Sequence, residues 1–153
     1  MPNAILFDIL NAVQAGIAAR GLAGISSSNI LVQKVPGNRP VDLPAQQFPA
    51  IVISPYGAEG LDPQAGTTSR DDVVYKVMVA ILAADDGDQQ TNFNQYLTWR
   101  QSIRQLFHDQ PLSTLCFSVQ VHPLDIVDRE AWFQRNVFAS GLVLNCFSRE
   151  TRG

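Results

Sequence analysis

The chain has 153 residues, of which 46% are hydrophobic and 16% are charged, and its formal net charge is −3 at pH 7. This length fits a single domain, residues 1–153, that can bury a core without disulfides or metals to hold it together. The acidic balance gives no basic footprint for sequence-specific DNA binding, and no apolar run approaches the ~18 residues of a membrane span. The N-terminus lacks the basic start of a signal peptide, so we expect a protein made and assembled in a cytosol.

The first predicted element is an amphipathic helix over residues 4–19. Its apolar side chains recur at i, i+4 spacing, which places one stripe against the rest of the fold. Asn3 is the expected N-cap, and Gly21 is the expected left-handed stop. The buried stripe consists of Ile5, Ile9, Val13 and Ile17.

Three strands are predicted after this helix. Residues 29–35 and 48–54 read as short strands, and Pro49 places the second one at a sheet edge or at a strand start, because proline cannot donate to the ladder. Residues 72–82 are predicted as the third strand, and after Asp72 they are apolar on both faces except at Lys76. A strand of this kind is typical of the middle of a sheet that is covered on both sides.

Two connections in this half of the chain carry functional hypotheses. The long Gly- and Pro-rich loop over residues 57–69 is expected either to order against a neighbouring subunit or to remain a mobile surface loop. The acidic turn over residues 85–88 lacks the ligand spacing of a calcium loop, so we interpret it as a solvated turn that favours the next helix N-terminus.

The second half of the chain is predicted to form one helix and two strands. The helix covers residues 91–108, and Pro111 ends it. Arg100 and Arg104, one turn apart, are placed together on its outer strip. The side chains predicted to face the core are Phe93, Tyr96, Leu97, Ile103, Leu106 and Phe107.

The last two strands are predicted over residues 115–122 and 132–147. Alternation places Leu115, Phe117, Val119 and Val121 on one face of the first of them. Gly141 in the final strand suggests a bulge or a close backbone approach, and residues 148–153 form a polar tail that we expect to fray. The predicted fold is α+β, a mostly antiparallel five-stranded sheet packed by two long helices in the order α-β-β-β-α-β-β.

No residue pattern in the chain indicates a catalytic or metal site. His108 and His122 are isolated, and Cys116 and Cys146 lie in apolar strands, where buried reduced thiols are the expected state. Zinc binding needs closely spaced ligands, and these residues have no such spacing. We therefore predict that the protein is not an enzyme and uses no cofactor and no metal.

The element order, with a helix, three strands, a long loop before the third of them, a second helix and a closing pair of strands, resembles the tail terminator (tail-completion, or neck) proteins of tailed bacteriophages. The segments that carry the resemblance are residues 48–53, 70–75 and 138–146. The resemblance implies a structural virion protein of the neck, assembled in the host cytoplasm, that closes into a ring, expected to be a hexamer. Such a ring caps the tail tube protein and meets the head-side connector. DNA only passes through its pore, and no membrane is involved.

A ring of identical subunits needs two different complementary patches on each subunit. The long loop is the candidate for reaching a neighbour. Arg100 and Arg104 could pair with Asp71 or Asp86 of a neighbour, but a solvated helix face is the more common arrangement for such arginines. The predicted interface residues are Gly57, Glu59, Asp62, Gln64, Arg70, Asp71, Arg100 and Arg104.

Two other functions remain open at the level of the sequence. One is a different neck or head–tail joining protein. The other is a module that binds a small molecule or a peptide, or a weak enzyme, with its pocket between sheet and helices near Tyr56, Trp99 and Trp132.

Overall fold

The structure is a computed structural model that describes residues 2–34, 48–61, 69–84, 90, 92–130, 132 and 137–151. The predicted acidic turn and two predicted interface residues, Asp62 and Gln64, lie outside these ranges. Within them the chain forms two long helices and seven strands. In chain order they are α1 Ile5–Arg20, β1 Ile30–Val32, β2 Ala50–Pro55, β3 Gly60–Leu61, β4 Arg70–Ala84, α2 Phe93–Phe107, β5 Gln110–Leu112, β6 Cys116–Pro123 and β7 Val137–Thr151.

The strands form one mixed sheet in the order β1-β2-β4-β7-β6-β5, with β3 also paired to β4. Only β1 and β2 run parallel, and the other pairs are antiparallel. The predicted α+β class with a mostly antiparallel sheet and two helices is confirmed, but the count of five strands is wrong. The two additional strands, β3 and β5, are only two and three residues long, too short to show an alternating pattern.

The centre of the sheet is the antiparallel pair of β4 and β7, which stays in register over 15 residues of each strand, from Arg70 opposite Thr151 to Ala84 opposite Val137. The prediction that residues 72–82 form a central strand is confirmed, because β4 lies between β2 and β7. The prediction of a frayed tail is wrong for residues 148–151, because their backbone groups pair with residues 70–73 of β4.

Helix α1 packs on β1, β2 and β5, whereas α2 packs on β5, β6 and β7, both on the same face of the sheet. The predicted stop of α1 at Gly21 is confirmed by its φ of 66°. The predicted cap is wrong: Ala4 is the N-cap, and the Asn3 amide instead donates a 2.9 Å hydrogen bond to Asp8. Fully buried side chains on this helix-covered face include Ile9, Val13, Ile17, Ile51, Ile53, Val77, Val79, Ile81, Leu142 and Leu144.

The opposite face of the sheet, here called the second face, is buried at one end of the strands and exposed toward the other. Val52, Leu82 and Ala139 are buried on it, whereas further along β4 Val74 is half-buried and Lys76 is exposed. Lys76 interrupts the apolar run over residues 73–84 of β4, and it lies where this face is open. Of the two surfaces described next, the groove lies on the second face, and the surface at the open end of the sheet includes residues of both faces.

Candidate interaction surface

Arg100 on α2 is a buried cation that joins three parts of the fold. Only 8% of the residue is exposed. Its Nη1 atom donates to Ser140 Oγ at 2.6 Å, to the Gly141 carbonyl at 2.9 Å and to the Asp125 carbonyl at 3.4 Å, and its Nη2 atom donates to the Leu124 carbonyl. These acceptors are uncharged, so the guanidinium is solvated by protein dipoles in place of water. Arg100 therefore fixes the segment that follows β6 against β7.

This position corrects the prediction for the outer strip of α2. Arg104 is exposed, as expected, but Arg100 lies inside the subunit, and its predicted place on an exposed interface is wrong. Burial lowers the pKa of Arg100, and the positive charge of Arg104 lowers it further. The spacing along the helix places both arginines on one strip. It does not reveal that the segment after β6 covers Arg100 and leaves Arg104 exposed.

A groove of about 860 Å³ lies on the second face beside this segment. Met78, Ala80 and Gly141 line it from the sheet, and Tyr56 and Leu124 line it from the flanking segments. A Cβ atom on Gly141 would lie 2.8 Å from Met78 Cε and 3.2 Å from Leu124 Cδ1. Gly141 keeps regular pairing with Ala80, so the predicted bulge is not found, and the atoms that come close to this glycine belong to the side chains of Met78 and Leu124, not to the backbone.

The rim of the groove is acidic. Asp125, Asp128 and Glu130 are exposed lining residues, and Arg129 is the basic residue among them. The segment that carries them is held by backbone hydrogen bonds from Leu124 N to the Gly141 carbonyl at 3.0 Å and from Asp128 N to the Ala139 carbonyl at 2.8 Å. These two hydrogen bonds hold the rim segment beside β7 at the edge of the sheet.

A second surface lies at the open end of the sheet, formed by residues 70–74 and 147–151. Arg149 makes a two-pronged ion pair with Asp72, at 2.7 and 3.0 Å, and its guanidinium lies 5.4 Å from the centre of the Phe117 ring. The Phe117 and Phe147 ring centroids are 6.3 Å apart. Phe117 is 56% exposed, so its predicted place on the buried face of its strand is wrong.

The opposite side of the open end holds a half-buried carboxylate contact. The Tyr75 hydroxyl donates to Glu150, and burial followed by this bond raises the tyrosine pKa. Together with the Arg149–Asp72 pair, this contact makes the last residues of β7 an integral part of the sheet.

The structure places the predicted interface residues only partly at this end. Arg70 is exposed and Asp71 is half-buried at the start of β4, whereas Gly57 and Glu59 are exposed in the connection before β3. Sequence reasoning missed Phe117 and Arg149, and the signal for both was weak. Phe117 follows the alternation of a half-buried strand, and Arg149 lies in a stretch of polar residues.

His108 and Trp99 make structural hydrogen bonds, and the two cysteines lie in the core. His108 Nδ1 accepts a 3.1 Å hydrogen bond from the backbone of Val121, and Cys116 and Cys146 are buried as predicted. The Trp99 indole donates to the Ala23 carbonyl at 2.8 Å on the helix side of the sheet, away from the groove that Tyr56 lines, so these two residues do not share a pocket. Among the described residues, no group of three His, Cys, Asp or Glu side chains is placed to hold a metal ion.

No helix in the described part of the chain is long and apolar enough to cross a membrane. A scan against profiles of known protein families and a search of curated proteins both find no match to this chain.

Proposed function

We propose that this protein is a tail terminator of a tailed bacteriophage, a non-enzymatic protein of the virion neck that is assembled in the host cytoplasm. In this proposal identical subunits close into a ring, with six subunits expected. The ring caps the tail tube protein and joins it to the head-side connector, and DNA passes through the pore. The net charge of −3 supports a pore that does not bind the phosphates of the DNA passing through it.

The observation that carries the proposal is the exposed apolar surface at the open end of the sheet. Leu61 on β3 is 70% exposed and Phe117 is 56% exposed. Leu61 pairs with Val73 on the helix-covered face, and Phe117 contacts Phe147 on the second face, so the two side chains belong to opposite faces of the end formed by residues 70–74 and 147–151. Exposed large apolar side chains grouped at one end of a subunit are typical of a protein contact.

Charged groups at the same end suit a specific contact between subunits. Arg149 is exposed beside Phe117 and Arg70 is exposed at the start of β4, whereas the Asp72 carboxylate is bound to Arg149 within the subunit. Charges around an apolar centre fix the register of two copies more than they add affinity. In the proposed ring Arg70, Asp71 and Arg104 contact a neighbouring subunit, and Gly57 and Glu59 approach it through the connection before β3.

The test measures assembly of the pure protein alone and on purified tail tubes. We expect light scattering after size-exclusion chromatography, or electron micrographs of capped tubes, to show rings. The double variant Leu61→Ser/Phe117→Ser should lose ring formation, because it removes the large exposed apolar side chain from each face of this end. Phe7→Ser is the matched control, since Phe7 is 50% exposed and lies on α1, not on the strands that form this end.

A wild-type chain that stays monomeric at every concentration and also fails to join tail tubes contradicts the proposed function. Loss of assembly in the Phe7→Ser control alone would move the contact to α1. Tails that keep their normal length when particles are produced without this protein would also contradict termination.

A further inference from the structure

We propose that the groove on the second face is a docking site for a partner polypeptide, specifically for an extended segment in which apolar side chains alternate with Lys or Arg. The inference rests on the groove alone and does not require that the protein forms a ring.

The apolar part of the argument comes from the groove floor and its flanks. Met78, Ala80 and Gly141 offer an apolar floor without charged groups. Large apolar side chains stand exposed beside it, with Tyr56 at 41% and Leu124 at 39%. Exposed apolar side chains that converge on a concave surface are typical of a binding site, because an occupant removes them from water.

The charge of the rim selects the occupant. Asp125, Asp128 and Glu130 stand exposed along one side, and Arg129 offsets only part of their charge. The buried Arg100 makes no hydrogen bond to these carboxylates, because its guanidinium is directed at backbone carbonyls and at Ser140 Oγ, and its charge offsets only part of theirs, acting on Asp125. Complementary charge therefore favours a segment with cationic side chains and disfavours an acidic one.

The groove is already formed before any partner arrives. Arg100 and the backbone hydrogen bonds of Leu124 and Asp128 hold its acidic wall in place, so binding does not have to order this wall. The charged rim residues face solvent and leave the site open on one side. Such a site suits a polypeptide, which keeps one side in water, better than a small molecule, which is normally enclosed over most of its surface.

The experiment uses the full-length protein labelled with ¹⁵N and two synthetic hexapeptides that alternate Leu with Lys or Leu with Glu. We expect the Lys peptide to shift the amide resonances of residues 78–80, 124–130 and 139–141, and the Glu peptide to leave them unchanged. Glu130→Gln should weaken the binding of the Lys peptide at least about threefold, because one rim charge is lost. Tyr56→Ser should weaken it further. Gln101→Ser, on the exposed side of α2, should not change it.

Several results would overturn the proposal: equal shifts with both peptides, shifts spread over the whole surface, or equal binding by wild type and by both groove variants. A screen in which small molecules shift these resonances and neither peptide does would assign the groove to a different kind of ligand. None of these results affects ring formation, which is measured separately, so the two proposals can fail independently.

Discussion

The guanidinium of Arg100 on α2 and the hydroxyl of Ser140 on β7 are joined by a 2.6 Å hydrogen bond, although the two residues are 40 positions apart in the chain. Around this bond the same guanidinium also contacts three backbone carbonyls. The contact connects the helix layer, the central strand pair and the acidic wall of the groove, and it makes Arg100 the residue whose replacement should affect all three.

Replacing Arg100 with Lys should lower the free energy of unfolding by about 2 kcal/mol, because a single ammonium cannot reach acceptors on both sides of the planar guanidinium and leaves buried carbonyls unpaired. The matched control is Arg104→Lys, one helical turn away and exposed, which should stay within about 0.5 kcal/mol of wild type. Urea denaturation followed by circular dichroism measures both. Equal losses for the two variants would show that Arg100 contributes no more than a surface cation.

Two buried serines should respond in opposite directions to replacement by alanine. Ser54 on β2 is fully buried, and its hydroxyl has no hydrogen-bond partner among the described residues, whereas Ser148 on β7 donates to the Leu115 carbonyl at 2.9 Å. Ser54→Ala should raise the free energy of unfolding by about 0.5–1 kcal/mol, and Ser148→Ala should lower it by about 1 kcal/mol. Thermal melts of the two variants decide this, and a loss of stability in Ser54→Ala would show that its hydroxyl is satisfied in solution.

Two glycines provide a similar contrast. At Gly141 an added Cβ atom meets Met78 Cε at 2.8 Å, whereas at Gly16 in α1 the nearest atom is Phe107 Cζ at 3.4 Å. Gly141→Ala should cost about 1–2 kcal/mol through overpacking, but Gly16→Ala should add about 0.5 kcal/mol through helix propensity. Adding Met78→Ala to Gly141→Ala should recover part of the loss in a double-mutant cycle. If the two positions show no coupling, the strand that carries residue 141 accommodates the added Cβ atom by moving, and the Met78 side chain does not.

The Asp72–Arg149 pair should make stability depend on pH in the acidic range. The hydrogen bond from Arg149, and then its charge, lowers the pKa of Asp72 below its ordinary value of 3.8. A lowered carboxyl pKa contributes stability that is fully present above that ordinary value and is lost as the pH falls through the lowered pKa. The difference in melting temperature between wild type and Asp72→Asn should therefore be constant near neutral pH and should shrink in acid. Because the pair is exposed, added salt should reduce the difference, and a difference that grows in acid would reverse the assignment.

The spacing of apolar residues along the chain was sufficient to predict the elements that are long and regular. The apolar run of β4 identified the central strand, the i, i+4 stripe identified the buried face of α1, and Gly21 marked its end. These features depend on residues that are close in sequence, where periodicity and turn chemistry act directly.

The short strands and the surfaces could not be found in this way. β3 and β5 exist because they lie beside longer strands, and their own residues show no alternation. Arg149 gains its role from Asp72, 77 positions away, and Phe117 is exposed because of where the open end of the sheet lies.

The sequence by itself determined the mixed α+β class and the central position of β4, because hydrophobic burial follows from the spacing of apolar residues along one segment. Only the tertiary structure decided that Arg100 is internal, that residues 148–151 continue β7, and that a groove with an acidic rim lies across the second face. The physical reason is that a buried cation, a paired strand edge and a groove each require groups from distant parts of the chain, and their partners are set by packing and not by local order.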